Sequence, residues 1–163
     1  MIIDALLQFS GTIVGNTVTG QSLVGAAQTF TSTNVVDLAG VGTGNTARDI
    51  GQGKDLTIMV EVTQTFTGGT SMQPVLVLAD DTAISVNVEQ IVLDTAIPIA
   101  TLVAGTQIPV HLDRAAPLPA KRYMAMQYIT VGTMTAGALV AAVVHDVQDK
   151  GNNTLFNSGF VVQ

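Results

Sequence analysis

Apolar and polar residues alternate most cleanly between Leu56 and Phe66. Leu56, Ile58, Val60, Val62 and Phe66 share one face of an extended chain, and Thr57, Glu61, Thr63 and Thr65 share the other. A period of two predicts a strand with one buried face. Gly68 and Gly69 then mark a turn, and the run from Met72 to Ala79 reads as the returning arm of a hairpin. Pro74 lacks a backbone N–H, so that strand is expected to begin after it or to lie at an edge. The stretch from Lys121 to Val147 is the most apolar part of the chain. Its first run, Arg122 to Val131, is apolar on both sides. Met124, Met126 and Tyr128 alternate with Tyr123, Ala125, Ile129 and Val131, which predicts a central strand covered on both faces. The second run, Ala138 to Val147, is rich in alanine, which favours helix, and in valine, which favours strand. The valine density and the punctuating Gly132 and Gly137 decide for strand. The two runs are expected to form a hairpin with a six-residue loop in the middle of a sandwich.

The remaining segments are shorter. Met1 to Phe9 reads as a turn of helix or an edge strand. Gly11 to Gly25 is irregular with a weak strand, and strand character returns at Phe30 and Val35–Val36. A glycine-rich loop runs from Gly40 to Gly53. Asp80-Asp81 is a turn, Ile84 to Leu93 a strand, and Ile108 to Leu112 another. About eight strands at spacings of roughly ten residues give an all-β, jelly-roll-like antiparallel sandwich. Residues 1–147 form a single domain, and 148–163 read as a C-terminal tail with a polar spacer followed by apolar residues.

Composition supports many short strands and narrows the partners. The 163 residues are 47 % hydrophobic but only 4 % aromatic, with 16 glycines. Charged residues make up 11 %, against about 25 % in an ordinary domain. Either part of the surface is covered by other protein, or it is a threonine- and amide-rich surface that is polar without charge. The net charge of −6 argues against nucleic acid. Arg114, Lys121 and Arg122 make a small positive stretch, which reads as a solvated loop or as a contact for an acidic partner. Cysteine is absent, which excludes disulfides and thiolate metal sites. No run approaches the roughly 18 apolar residues of a membrane span, and the start lacks a signal-peptide pattern, so no membrane association is expected.

Candidate chemistry is thin. Gly42, Gly44 and Ala47 fit a dinucleotide-loop spacing, but more glycines and then a strand follow where a helix is needed. His111 with Asp113 and His145 with Asp146 could make a two-histidine metal site. Strand-end histidines are more often simply solvated, and no metal or cofactor is expected. Asp80-Asp81 could be a catalytic pair but reads as a turn. No nucleophile elbow is present, and no enzymatic activity is expected. Ile2, Leu6 and Leu7 at one end, and Phe156 and Phe160 at the other, are large apolar groups outside the strand pattern. They either fold back on their own sandwich or dock on a neighbouring subunit, and they are the candidate partner-binding residues.

Several segments together resemble the jelly-roll cement, or decoration, proteins of tailed-phage capsids, of the podophage type. They are the opening MIIDALLQFS, residues Ser32 to Leu38, residues Asp49 to Gly53 before a strong strand, residues Leu118 to Tyr123, and residues Thr135 to Ala138. The resemblance covers about 150 residues and matches the tail after Val147 least. It implies a jelly roll that assembles as a homodimer on the outer surface of a virion put together in the host cytoplasm. There it would bridge neighbouring capsomers of the major capsid protein. It brings no catalytic residues. A lectin-like carbohydrate-binding module is the competing expectation, weakened by the lack of Trp and the presence of only two Tyr.

Overall fold

The computed structural model describes residues 3–14, 17–38, 56–92, 95–112 and 121–144. Thirteen strands run through them, with no α-helix among the described residues. The first six are short: β1 (Ile3–Ser10), β2 (Thr12–Val14), β3 (Thr17–Thr19), β4 (Gln21–Ser22), β5 (Thr29–Thr31) and β6 (Val36–Asp37). Two long ones follow, β7 (Leu56–Gly68) and β8 (Ser71–Ala79). Then come β9 (Glu89–Val92), β10 (Ile97–Pro98), β11 (Gln107–Leu112), β12 (Tyr123–Val131) and β13 (Met134–Val144). A single 3-10 turn, Ile99–Thr101, follows β10.

The strands build an antiparallel sandwich. The first sheet has the order β1-β13-β7-β11, with β4 also on β13. The second has the order β10-β8-β12-β5, with β6 also on β12 and β9 also on β8. Thirteen strands therefore replace the expected eight. The cause is visible in the pairing. β1 and β4 share one edge of β13, β5 and β6 share one edge of β12, and β9 and β10 share one edge of β8. The β2–β3 ribbon between β1 and β4, and short polar-bearing breaks such as Ser32 to Asn34 between β5 and β6, split a row into two short strands without changing the width of the sheet. β2 and β3 form a separate two-stranded ribbon.

Neither expected hairpin forms. β7 and β8 lie in different sheets, and so do β12 and β13. β7 pairs with β13 and β8 with β12. The register is Thr57↔Val144 at one end and Ala79↔Tyr123 at the other, a slip of one residue over the whole length. The two long segments are thus one antiparallel ribbon that bends over the edge of the sandwich. The bend sits where Gly69 and Gly132 meet, both at positive φ. A Cβ on Gly132 would come within 2.8 Å of the Gly69 Cα, so the two connections can pass only as bare backbone. The connection between β12 and β13 is two residues, not six. Gly137 lies inside β13, where the register shifts and the Phe66 ring occupies the space a side chain would need.

The alternation read from Leu56 to Phe66 is borne out: Ile58, Val60, Val62 and Phe66 all face the main core. They meet Met72, Leu76, Leu78, Met124, Met126 and Tyr128 from the second sheet. Each such side chain contributes about 1.5–3 kcal/mol by leaving water. Tyr128 is wholly buried, and its hydroxyl shares a 2.7 Å hydrogen bond with Ser10 of β1, which links the two sheets. Burial holds the phenol well above its usual pKa, because a phenolate there would be desolvated.

Pro74 neither starts β8 nor lies at an edge; β8 begins at Ser71 and is flanked on both sides. Thr130 N–H donates to Gln28 on the β5 side, so the even residues of β12 point away from β8 and the odd ones pair with it. The nitrogen of Pro74 therefore faces the opposite flank. There β10 covers Ser71 and Met72, and β9 covers Val75 to Leu78. The missing donor falls in the gap between them.

Candidate functional surfaces

The terminal residues part company. Ile3 to Ser10 is the edge strand β1, paired with β13, and Leu7 packs partly buried against the main core. That stretch belongs to its own sandwich rather than to a free arm. The side chain of Leu6 lies outside the described ones, and Ile2, Phe156 and Phe160 lie outside the described residues, as do the tail 148–163 and the glycine loop 40–53.

The outer face of the second sheet carries a small apolar cluster of Val75, Val77, Ala79, Ile84 and Ala125, with Val35, Val88, Tyr123 and Ile129 packed at its margin. The segment expected to be a strand from Ile84 is instead a loop, and the strand begins only at Glu89. The loop folds Ile84 onto this cluster. To do so Ile84 takes φ +54°, a rare conformation for a β-branched residue, and Asn87 takes φ +50°. Two carboxylates hold the loop. Asp81 accepts the Ser85 N–H at 2.8 Å, the Ser85 hydroxyl at 2.7 Å and the Val86 N–H at 2.8 Å. Asp80 accepts the Asn87 amide at 2.8 Å and Lys121 at 3.2 Å. These donors hold both carboxyls below the ordinary range, led by Ser85 for Asp81 and by Asn87 for Asp80. The Asp80-Asp81 pair is the turn that was expected, with its oxygens committed to the loop.

The positive stretch is spent internally as well. Lys121 also lies 3.9 Å from Glu89. Arg122 grips Asp37 with two nitrogens at 3.0 and 2.9 Å and lies 5.0 Å over the Tyr123 ring, and Asp37 is the main reason its pKa is raised. Arg114 lies outside the described residues. His111 occupies β11 opposite Thr57, but its side chain is outside the described ones and His145 is outside altogether. Among the described residues no three metal-capable side chains gather.

The outer face of the first sheet is different. Here β7 presents Glu61 and Thr63, and the β2–β3 ribbon lies close by. Ile13, Val18, Glu61, Val62, Thr63, Gly105 and Val140 line a cavity of about 340 Å³. Glu61 is half-buried. It was visible in the sequence only as one polar position among threonines; nothing in the local pattern told that an apolar ribbon would be brought beside it. Exposed valines cluster around this ribbon: Val14 is 74 % and Val18 50 % exposed.

Residues 18–143 match the Bbp16 family. The chain belongs to that family. The match runs from within β3 to within β13 and so contains the bent ribbon of β7, β8, β12 and β13 but for its last residue, Val144. No curated protein matches the chain. The Bbp16 segment leaves out β1 and β2, although β1 completes the first sheet and carries Ser10.

Proposed function

We propose that this Bbp16-family chain is a capsid cement protein. It binds the outer shell of a tailed-phage head as a homodimer and bridges neighbouring major-capsid-protein capsomers. The observation that carries the reading is the surface. Charge is sparse, and the described cations Lys121 and Arg122 are tied to the chain's own carboxylates. Val14, Val18, Val24, Val86, Val103 and Val131 stand about half or more exposed. A sparsely charged, threonine- and valine-bearing surface suits broad contact with other protein better than it suits a reacting site. The sequence resemblance to podophage cement proteins points the same way. Stable contacts bury about 1,200–2,000 Å², and many copies on one shell add modest affinities into avidity.

The test uses empty shells of the virus that encodes the protein. The purified chain is expected to co-sediment with them at a fixed stoichiometry. Coated shells are expected to survive heating or osmotic shock that opens bare ones. Equal survival of coated and bare shells overturns the proposal.

A further inference from the structure

The cavity on the outer face of the first sheet has a composition that defines what it can hold. Ile13, Val18 and Val140 make apolar walls, and the polar side chains are Glu61 and Thr63; Val62, whose side chain faces the core, contributes backbone. At roughly 30 Å³ per molecule, 340 Å³ is the space of about ten waters, room for a long side chain but not for a folded element. Among the described residues nothing donates a hydrogen bond or an ion pair to the Glu61 carboxylate; Lys121 and Arg122 are engaged on the opposite side of the molecule. A half-buried carboxylate beside valines is partly stripped of water, and the lowered dielectric strengthens its pull on a cation. A solvated face would not need three aliphatic side chains around one acid.

We propose that this pocket receives a lysine side chain from the partner protein, which, on the cement reading above, is the shell. Lysine matches both halves of the site. Its four methylenes lie along Ile13, Val18 and Val140, and its ammonium has three donors for the Glu61 carboxylate and the Thr63 hydroxyl. An arginine fork also matches the Glu61 carboxylate, but its stem has three methylenes against lysine's four and covers less of the apolar wall. The net charge of −6 favours a basic partner surface in general, and Glu61 gives it one defined point of contact. Val18, half exposed on the ribbon at the pocket, provides an apolar edge that excludes water once the lysine is seated.

The test separates this pocket from the wider reading. The amides of Glu61, Thr63, Gly105 and Val140 are followed by NMR while n-butylammonium, and separately n-butanol, is added to the full chain. Saturable shifts at these amides with the ammonium are expected, at least about tenfold weaker with butanol and in Glu61→Gln. Glu61→Gln is expected to melt with the wild type, which shows that the fold is intact. Butanol binding as well as the ammonium, an unchanged response in Glu61→Gln, or no shift at all overturns the proposal; the last is also the result if one of the chain's own cations fills the pocket. In co-sedimentation, Glu61→Gln is expected to bind shells about tenfold less tightly, with a shallower salt dependence. If both proteins bind shells equally, the cement reading stands and the lysine pocket falls. If neither binds shells, the cement reading falls and the butylammonium titration still decides the pocket.

Discussion

The two outer faces of this sandwich solve the same problem in opposite ways. The second sheet has valines and alanines on its outside, and the chain closes them itself. The loop between β8 and β9 lays Ile84 over Val75, Val77 and Ala125, pinned by Asp80, Asp81, Asn87 and Lys121. The closure is costly enough to hold an isoleucine at positive φ, a strain of about 1–3 kcal/mol. On the first sheet the β2–β3 ribbon brings Ile13 and Val18 near Val140, yet a cavity remains with Glu61 at its wall and Val18 half exposed at its rim. The difference teaches where to look for a partner. A face whose apolar cluster and carboxylates are engaged within the chain offers a partner less than one with an open apolar pocket and a carboxylate that no described residue pairs.

The largest effect should come from placing the same charge on both faces. Val77→Asp puts a carboxylate at a fully buried position among Val75, Ala79, Ile84 and Ala125. Burial of an uncompensated ion costs several kcal/mol, a large part of a domain's whole stability of about 5–15 kcal/mol. The variant is expected to be unfolded or insoluble at 37 °C by circular dichroism and sedimentation. Val18→Asp, on the open ribbon, is expected to stay within about 0.5 kcal/mol of wild type in urea unfolding. If the two variants lose similar stability, the faces are not distinct and the comparison breaks.

That contrast was only half legible in the sequence. The core face of β7 could be read directly, because Ile58, Val60, Val62 and Phe66 repeat at the period of a strand. The two-sided burial of β12 was legible for the same reason. The bend was not. Two glycines between strands look alike whether the chain returns along the same sheet or crosses to the other. Here the choice is made by the ladder between β7–β8 and β12–β13, whose partners lie far apart in sequence. Of the short strands, β5 and β6 were legible as strand character at Phe30 and Val35–Val36, whereas β2, β3 and β4 were sensed only as one weak strand, since two or three residues carry no period. Glu61 was legible as an outward residue but not as a site, because its apolar surroundings come from β2, β3 and β13.

A smaller effect is expected between the faces, at the bond that joins the sheets. Tyr128→Phe leaves the Ser10 hydroxyl, itself wholly buried, without its partner. The cost is about 1–3 kcal/mol in urea unfolding, and adding Ser10→Ala should recover part of it, because both polar groups are then gone. If the double variant is as unstable as the sum of the singles, the bond does not couple the sheets. The same phenol sets an alkaline limit. Its folded pKa is raised above the unfolded value of about 10, so its contribution is fully present below about pH 10. Above that pH the unfolded chain ionises first and stability falls; Tyr128→Phe should flatten this decline.

The smallest effect is local and tests the closed face alone. Asp80 and Asp81 have folded pKa values below the ordinary carboxylate value of about 4, through donors that prefer the charged form. Their contribution is therefore present above about pH 4 and lost as the pH falls through the lowered folded values. Because both carboxylates hold a loop rather than the ladder, acid should release the loop before it melts the sandwich. The amides of Ser85 and Val86, which donate to Asp81, should lose exchange protection below about pH 4. Amides in the β7–β13 ladder should stay protected at the same pH. Asp81→Asn should produce the open loop already at neutral pH, since an amide oxygen accepts these bonds more weakly than a carboxylate. With Ile84 lifted, the apolar cluster of Val75, Val77 and Ala125 would face water, and a dye that fluoresces on apolar surfaces should respond. Simultaneous loss of protection in the loop and in the ladder would show that the loop is part of the cooperative core. The second face would then be closed by the fold itself and not by a separable cover.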